Sequence, residues 1–158
     1  MEFVHWLLLG TLLSPVLCRA QDGCPWINTA TVIDAPNPAV SDLQSVVTNE
    51  GDKCKFHFRK EGLLYSVQIA IYPSTGGGKD TAKTGARCEA AKTTLTGIGN
   101  EASLCNTGAV GERVIGRVRN RTFVVDLSVK SVAGSNHNAE LANDMATMIA
   151  KQVAGNLF

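Results

Sequence analysis

The chain has almost no net charge and no hydrophobic run long enough to cross a bilayer. Its formal net charge is +1 over 158 residues, so bulk charge predicts no nucleic-acid partner. The longest apolar run, Val4 to Cys18, falls short of the roughly 20 residues that a transmembrane helix needs. With 44% hydrophobic and 18% charged residues, the composition is typical of one globular domain.

The sequence also lacks the motifs of common enzymes and cofactor sites. It has no Gly-x-Ser-x-Gly elbow, and the glycine-rich segment 74–81 has no Ser or Thr after its lysine, as a phosphate loop requires. Gly97 and Gly99 predict a turn with unusual dihedral angles rather than a dinucleotide site. We therefore predict no catalytic residue, cofactor or metal. A hydrolase with an unrecognised site around His57 or His137 is kept as an alternative.

The first 20 residues predict a signal peptide. Small residues stand three and one positions before a cut after Ala20, which is the pattern that signal peptidase recognises. The stretch before the apolar run has no Lys or Arg, so an uncleaved anchor is the alternative. We expect residues 1–20 to be removed and residues 21–158 to form a single domain that is secreted or periplasmic.

Four cysteines remain after this cleavage, namely Cys24, Cys54, Cys88 and Cys105. An even number of cysteines in an exported chain predicts a disulfide framework. The absence of Cys-x-x-Cys argues against a zinc site or a redox centre. Three connectivities are possible, and the residues alone leave all three open.

The hydrophobic pattern predicts an α+β domain. Apolar residues at helical spacing indicate helices at Cys24–Val47, with a second short helix over Ala39–Val47, and further helices at Thr81–Leu95 and Asn138–Leu157. Alternating segments indicate strands at Cys54–Arg59, Leu63–Tyr72, Ala102–Asn106, Arg113–Val118 and Thr122–Lys130. This order predicts a mostly antiparallel sheet with helices packed on one face.

One local concentration of charge is a candidate anion-binding site, formed by Arg113, Arg117, Arg119 and Arg121. Guanidinium groups suit carboxylates and phosphates. If Phe123 points into the core, the first three of these arginines share the outward face of a hairpin and Arg121 lies in its turn. The alternative is a solvated sheet face on which arginines pair with acids such as Asp126.

The chain resembles a group of small exported bacterial domains of unknown function, many of them actinobacterial lipoproteins. It is also similar to the extracellular sensor domain of the mycobacterial serine/threonine kinase PknH. Three segments and a C-terminal helix carry the resemblance: Cys24-Pro25-Trp26-Ile27-Asn28, Cys54-x-Phe56, Leu95 to Ala102, and the alanine-rich helix from Leu141 to Leu157.

The resemblance implies disulfides Cys24–Cys54 and Cys88–Cys105, and a sensor-like or ligand-holding domain outside the cytoplasm. We therefore expect a non-enzymatic binding domain whose partner is a small or anionic envelope ligand. A module that binds another envelope protein is the first alternative, and the unrecognised hydrolase is the second.

Overall fold

A computed structural model of the chain describes residues 23–34, 46–49, 52–60, 62–74, 88, 92–108, 111–131 and 139–158. Five sequence predictions lie wholly or partly outside these residues: the signal peptide 1–20, residues 35–45 of the predicted helical segment Cys24–Val47, the glycine-rich segment beyond Ser74, the first eleven residues of the predicted helix Thr81–Leu95 apart from Cys88, and His137.

Within these ranges the chain forms seven strands and two helices. They are α1 (Thr29–Asp34), β1 (Val46–Asn49), β2 (Lys53–Lys60), β3 (Leu63–Pro73), β4 (Lys92–Leu95), β5 (Glu101–Asn106), β6 (Gly111–Val118), β7 (Arg121–Ser131) and α2 (Ala139–Asn156). The strands form one sheet in the order β1-β2-β3-β7-β6-β5-β4, and every neighbouring pair is antiparallel. The predicted antiparallel sheet is confirmed.

One face of the sheet, called here the inner face, carries the hydrophobic core. Successive side chains of a strand point to opposite faces, and alternate residues of the central strands are buried together. The inner-face residues are Cys54, Phe56 and Phe58 of β2, Tyr65, Val67, Ile69 and Ile71 of β3, Phe123, Val125, Leu127 and Val129 of β7, and Val114 and Val118 of β6. The alternation predicted for β2, β3 and β7 is therefore confirmed.

The helix α2 packs on β6 and β7, and its buried residues belong to the inner-face core. The predicted apolar stripe is buried at its centre, where Met145, Ile149 and Val153 have almost no exposed surface, while its two ends are partly exposed. Four alanines at four-residue spacing are also buried against the core, namely Ala142, Ala146, Ala150 and Ala154. Small side chains let a helix approach its neighbour closely, so these alanines set the packing distance.

The two shortest strands contradict the predicted helices. The predicted helix Ala39–Val47 is wrong at its end, where β1 begins at Val46, and the predicted helix Thr81–Leu95 is wrong over β4. Both strands lie at the edges of the sheet and contain only four residues. Neither is long enough to show the alternation that marks a strand, and each is formed by pairing with its neighbour.

Both disulfides have the pairing that the resemblance implied. Cys24 is joined to Cys54 and Cys88 to Cys105, and the Cα atoms of each pair lie 5.6 Å apart. Cys88 lies in neither a helix nor a strand. None of the described helices is both long and apolar enough to cross a membrane.

Candidate anion-binding face

The opposite side of the sheet, called here the outer face, carries most of the charge of the described strands. The register places residues of four strands in rows across it. One row runs from Lys55 through Gln68 and Asp126 to Arg113. A second row runs from Arg59 through Leu64 to Lys130, and a third from His57 through Ser66 to Ser128. Strand order thus brings together polar groups from distant parts of the chain.

Arg113 of the predicted arginine cluster is bound by an acid. Its Nε and Nη2 atoms donate hydrogen bonds to the two carboxylate oxygens of Asp126, and the Nη2–Oδ2 distance is 3.1 Å. Both side chains are about three-quarters buried, with 24% and 29% of their surfaces exposed. This forked geometry is the strongest form of an arginine–carboxylate pair. The alternative predicted for this residue, a sheet-face arginine paired with Asp126, is confirmed.

Arg117 also has an acidic partner. Its Nε atom donates a hydrogen bond to Oε1 of Glu101 at 2.8 Å. Here 38% of the arginine and 64% of the glutamate side chain are exposed, so water screens the pair and leaves part of the guanidinium accessible. Arg113 and Arg117 share the outer face with Ile115, as the sequence predicted.

The positions predicted for the other two arginines are wrong. The hairpin turn consists of two residues, Arg119 and Asn120, so Arg119 lies in the turn and Arg121 begins β7. Arg119 has a positive φ of 52°, and its guanidinium carbon lies 5.6 Å from the centre of the Phe158 ring. Arg121 stands in the register of the inner face and is exposed at its rim. The structure therefore divides the predicted cluster: Arg113 and Arg117 are paired with carboxylates, whereas the other two arginines lie at the hairpin turn.

The sequence prediction missed a second set of basic side chains on the outer face, the β2 strip. It consists of Lys53, Lys55, His57 and Arg59, which alternate with the buried residues of β2. The alternation had placed the last three on a polar face. The alternation could not show that β2 shares this face with the hairpin of β6 and β7, called here the arginine hairpin. In the sheet, β2 and β6 are separated by β3 and β7.

Positive charge exceeds negative charge on this face. The lysines and arginines in its register whose side chains are described are Lys53, Lys55, Arg59, Arg113, Arg117 and Lys130, and Lys92 of β4 stands in the same register. Its described carboxylates are Asp126 and Glu101. Both carboxylates bind arginine. Within the described residues, Lys53, Arg59 and Lys130 have no carboxylate partner. The uncompensated charge therefore lies along β2 and at the end of β7.

The part of the outer face nearest the turn of the arginine hairpin is covered rather than open. Ile115 and Val124 are buried there, and Tyr72 and Cys88 pack against them. The disulfide to Cys105 holds Cys88 on this side of the sheet, because Cys105 is in register with Arg113. Near the turn Arg117 is partly exposed, and the other accessible cations of the described outer face are at β2 and at Lys130.

The geometry around His57 does not form a catalytic pair. Ser66 stands opposite His57 in the register, but no hydrogen bond joins the two side chains in the described structure. The nearest acid in the next row, Asp126, is bound by Arg113. A serine nucleophile needs a base within hydrogen-bonding distance and an acid to orient it. Among the described residues, no group of three or more His, Cys, Asp or Glu side chains could hold a metal ion.

A buried acid, Glu112, lies on the inner face and is engaged by amides. The Asn106 side chain donates a hydrogen bond to its Oε1 atom at 3.2 Å. The Asn143 amide of α2, oriented with its nitrogen toward the carboxylate, donates to both oxygens at 3.0 and 3.1 Å. These bonds join β5, β6 and α2, and they give Glu112 a structural role.

The turn that contains Gly97 and Gly99 has the unusual dihedral angles that the sequence predicted. Gly97 and Gly99 both have positive φ, 74° and 60°. A Cβ at Gly99 would overlap the Arg117 carbonyl oxygen, and the next residue, Asn100, accepts a hydrogen bond at 2.7 Å from the Arg119 backbone N–H. The turn therefore fixes the end of the arginine hairpin.

Comparison with known proteins gives no relative from which a function could be transferred: no protein-family model, no curated protein and no solved structure matches the chain.

Proposed function

We propose that the chain is a non-enzymatic, exported binding domain whose ligand is anionic and is held on the outer face of the sheet. The observation that carries the proposal is the charge distribution of this face. Its two described carboxylates are already bound by arginine, and cations without a carboxylate partner remain at β2 and at the end of β7. An anionic ligand would supply the missing partner.

Four further features support the proposal. Two disulfides are typical of exported proteins, and the N-terminal segment has the pattern of a signal peptide. The buried residues of α2 and of the α1 segment belong to the same core. The proposal therefore places both helices on the inner face, which leaves the outer face for a ligand. The resemblance to the PknH sensor domain and to exported lipoproteins suggests a sensing role.

The proposal also shifts the ligand site away from the predicted arginine cluster. Arg113 is largely buried in its pair with Asp126, and Arg119 lies against Phe158. An anion at Arg113 would have to displace a forked carboxylate, whereas Lys53 and Arg59 of β2 have no carboxylate partner among the described residues. We therefore assign the main contacts to Lys53 and Arg59.

A thermal-shift screen of the oxidised protein tests this function. The panel holds peptidoglycan fragments, anionic glycans, anionic phospholipids and neutral counterparts of each. A ligand that binds only the folded state raises the melting temperature, and a hundredfold excess over the dissociation constant adds about 2.7 kcal/mol to stability. We expect a shift with anionic compounds alone, and its loss in the double variant Lys53→Gln/Arg59→Gln.

The matched control is Lys151→Gln, which removes one charge from an exposed position on α2. It should keep the full shift. A shift that the β2 variant retains but Arg119→Gln/Arg121→Gln abolishes would move the site to the hairpin turn. No shift with any anionic compound would refute an anion-binding function and favour the envelope-protein partner.

A further inference from the structure

We propose that the ligand is a linear acidic glycan that lies along β2, rather than a small single anion. This inference rests on the proposed function and specifies the ligand of the same face. It is carried by the periodic spacing of the β2 strip and by the neutral hydrogen-bonding groups in register beside it.

The β2 strip presents a positively charged or imidazole side chain at every second residue over seven residues. Successive members of the strip are about 6.8 Å apart and the whole strip is about 20 Å long, from the rise of an antiparallel strand. Its members are exposed or half-buried on the outer face, and the residues between them are buried. A small anion would meet one or two of these groups. A polymer with a regularly repeated charge would reach both Lys53 and Arg59, the two ends of the strip, which have no carboxylate partner among the described residues.

The surroundings of the strip set the direction of such a polymer. A chain crossing the sheet from Lys55 toward β6 would pass Asp126 and Arg113, whose charges offset each other. A chain crossing from Lys53 would pass Ala70 and Val124, which are buried and apolar. A chain crossing from Arg59 would meet one further cation, Lys130, whereas a chain running along β2 meets the whole strip.

The residues of β3 that stand beside the strip favour a sugar polymer over a nucleic acid. Opposite the strip stand Leu64, Ser66 and Gln68, of which the last two offer a hydroxyl and an amide for sugar hydroxyl groups. Single-stranded nucleic acids are bound chiefly by aromatic side chains on which the bases stack. None of these three residues is aromatic, nor is Ala70 opposite Lys53, and the next outer-face residue, Tyr72, packs against Ile115 and Val124. The described groups around the strip therefore fit an acidic glycan better.

The experiment measures affinity against chain length for the oxidised protein. The probes are oligouronates and sulfated glycan oligomers from one to eight sugars, with oligothymidylates of equal charge as a separate arm, all by isothermal titration calorimetry. We expect affinity to rise with glycan length until the oligomer spans the strip and then to level off. The logarithm of the binding constant should fall with the logarithm of the salt concentration. The expected slope is about 0.7 per contacted charge, the value for single-stranded polyanions.

The variants Lys53→Gln and Arg59→Gln test the two ends of the strip. Each should weaken binding of the long glycan by roughly twofold to fivefold, the range for one exposed ion pair, and lower the salt slope by about one contacted charge. The control Lys151→Gln should leave both the affinity and the slope unchanged. Melting temperatures of all variants show whether each is folded.

The outcomes separate this inference from the proposed function. If a monosaccharide anion binds as tightly as the octamer at the strip, the polymer inference fails and the anion-binding function stands. Tighter binding of oligothymidylate than of glycans with equal charge would also overturn it, in favour of a nucleic acid. If none of the three probe types binds, the glycan inference fails, and the thermal-shift result with anionic phospholipids and peptidoglycan fragments decides whether the proposed function stands.

Discussion

Adding a single methyl group at Gly116 should test the packing of the inner face. Gly116 of β6 stands opposite Phe123 of β7, and a Cβ at this position would overlap three carbon atoms of the Phe123 ring. Phe123 has no exposed surface, so its ring can move only by displacing other core side chains. The glycine is therefore required for the ring to lie across the sheet.

The expected cost of Gly116→Ala follows from these contacts. Overpacking a well-filled core typically costs about 1–3 kcal/mol, while replacing glycine by alanine returns about 0.4–1 kcal/mol through the entropy of the unfolded chain. We therefore expect a net loss of about 1–2 kcal/mol in the free energy of unfolding. The measurement is urea denaturation of the oxidised protein, followed by circular dichroism.

The control is the same substitution at Gly155, which is exposed in α2 with no atom within 4 Å of an added Cβ. Gly155→Ala should stabilise the protein by about 0.5–1 kcal/mol, because alanine favours the helix. In a Phe123→Leu background, Gly116→Ala should lose most of its cost, since the ring that it contacts is absent. If Gly116→Ala stabilises the protein as much as Gly155→Ala does, the packing described here is wrong.

Two further predictions concern stability. Replacing both Cys24 and Cys54 by alanine should lower the free energy of unfolding by about 4 kcal/mol on the chain-entropy account, since the bond closes a loop with a sequence separation of 30; denaturation with and without reductant measures this, and a loss below about 1 kcal/mol would contradict it. Glu112→Leu should cost about 1–3 kcal/mol, because the amides of Asn106 and Asn143 lose their acceptor in a buried site. Glu112→Gln retains an acceptor and should cost clearly less, so equal losses would argue against these hydrogen bonds.

The spacing of apolar residues along the chain correctly predicted the long strands and the long helix of the fold. The strands β2, β3, β6 and β7 contain eight to eleven residues, long enough for alternating burial to appear in the sequence, and α2 has several turns of apolar residues. The strands β1 and β4 have four residues each. In so short a segment, pairing with a neighbour decides the conformation, and a helical prediction failed there.

The candidate site could be predicted from the sequence less completely than the long strands and α2, because it depends on contacts between strands. The residues of β2 and of the arginine hairpin alternate in ways that the sequence shows, so their polar faces could be predicted separately. That Asp126 neutralises Arg113, and that Glu101 binds Arg117, follows from the registers of β6 with β7 and of β5 with β6. These registers join residues that are 13 and 16 positions apart.

The sequence by itself determined which residues are apolar on one side of each long strand, and that residues 21–158 contain an even number of cysteines. These properties depend on neighbours in the chain, whose side chains alternate with a period of two. Tertiary structure decided the strand order and therefore which charges meet. Coulombic attraction acts between groups close in space, so the excess of cations at β2 emerges only when β2, β3, β7 and β6 lie side by side.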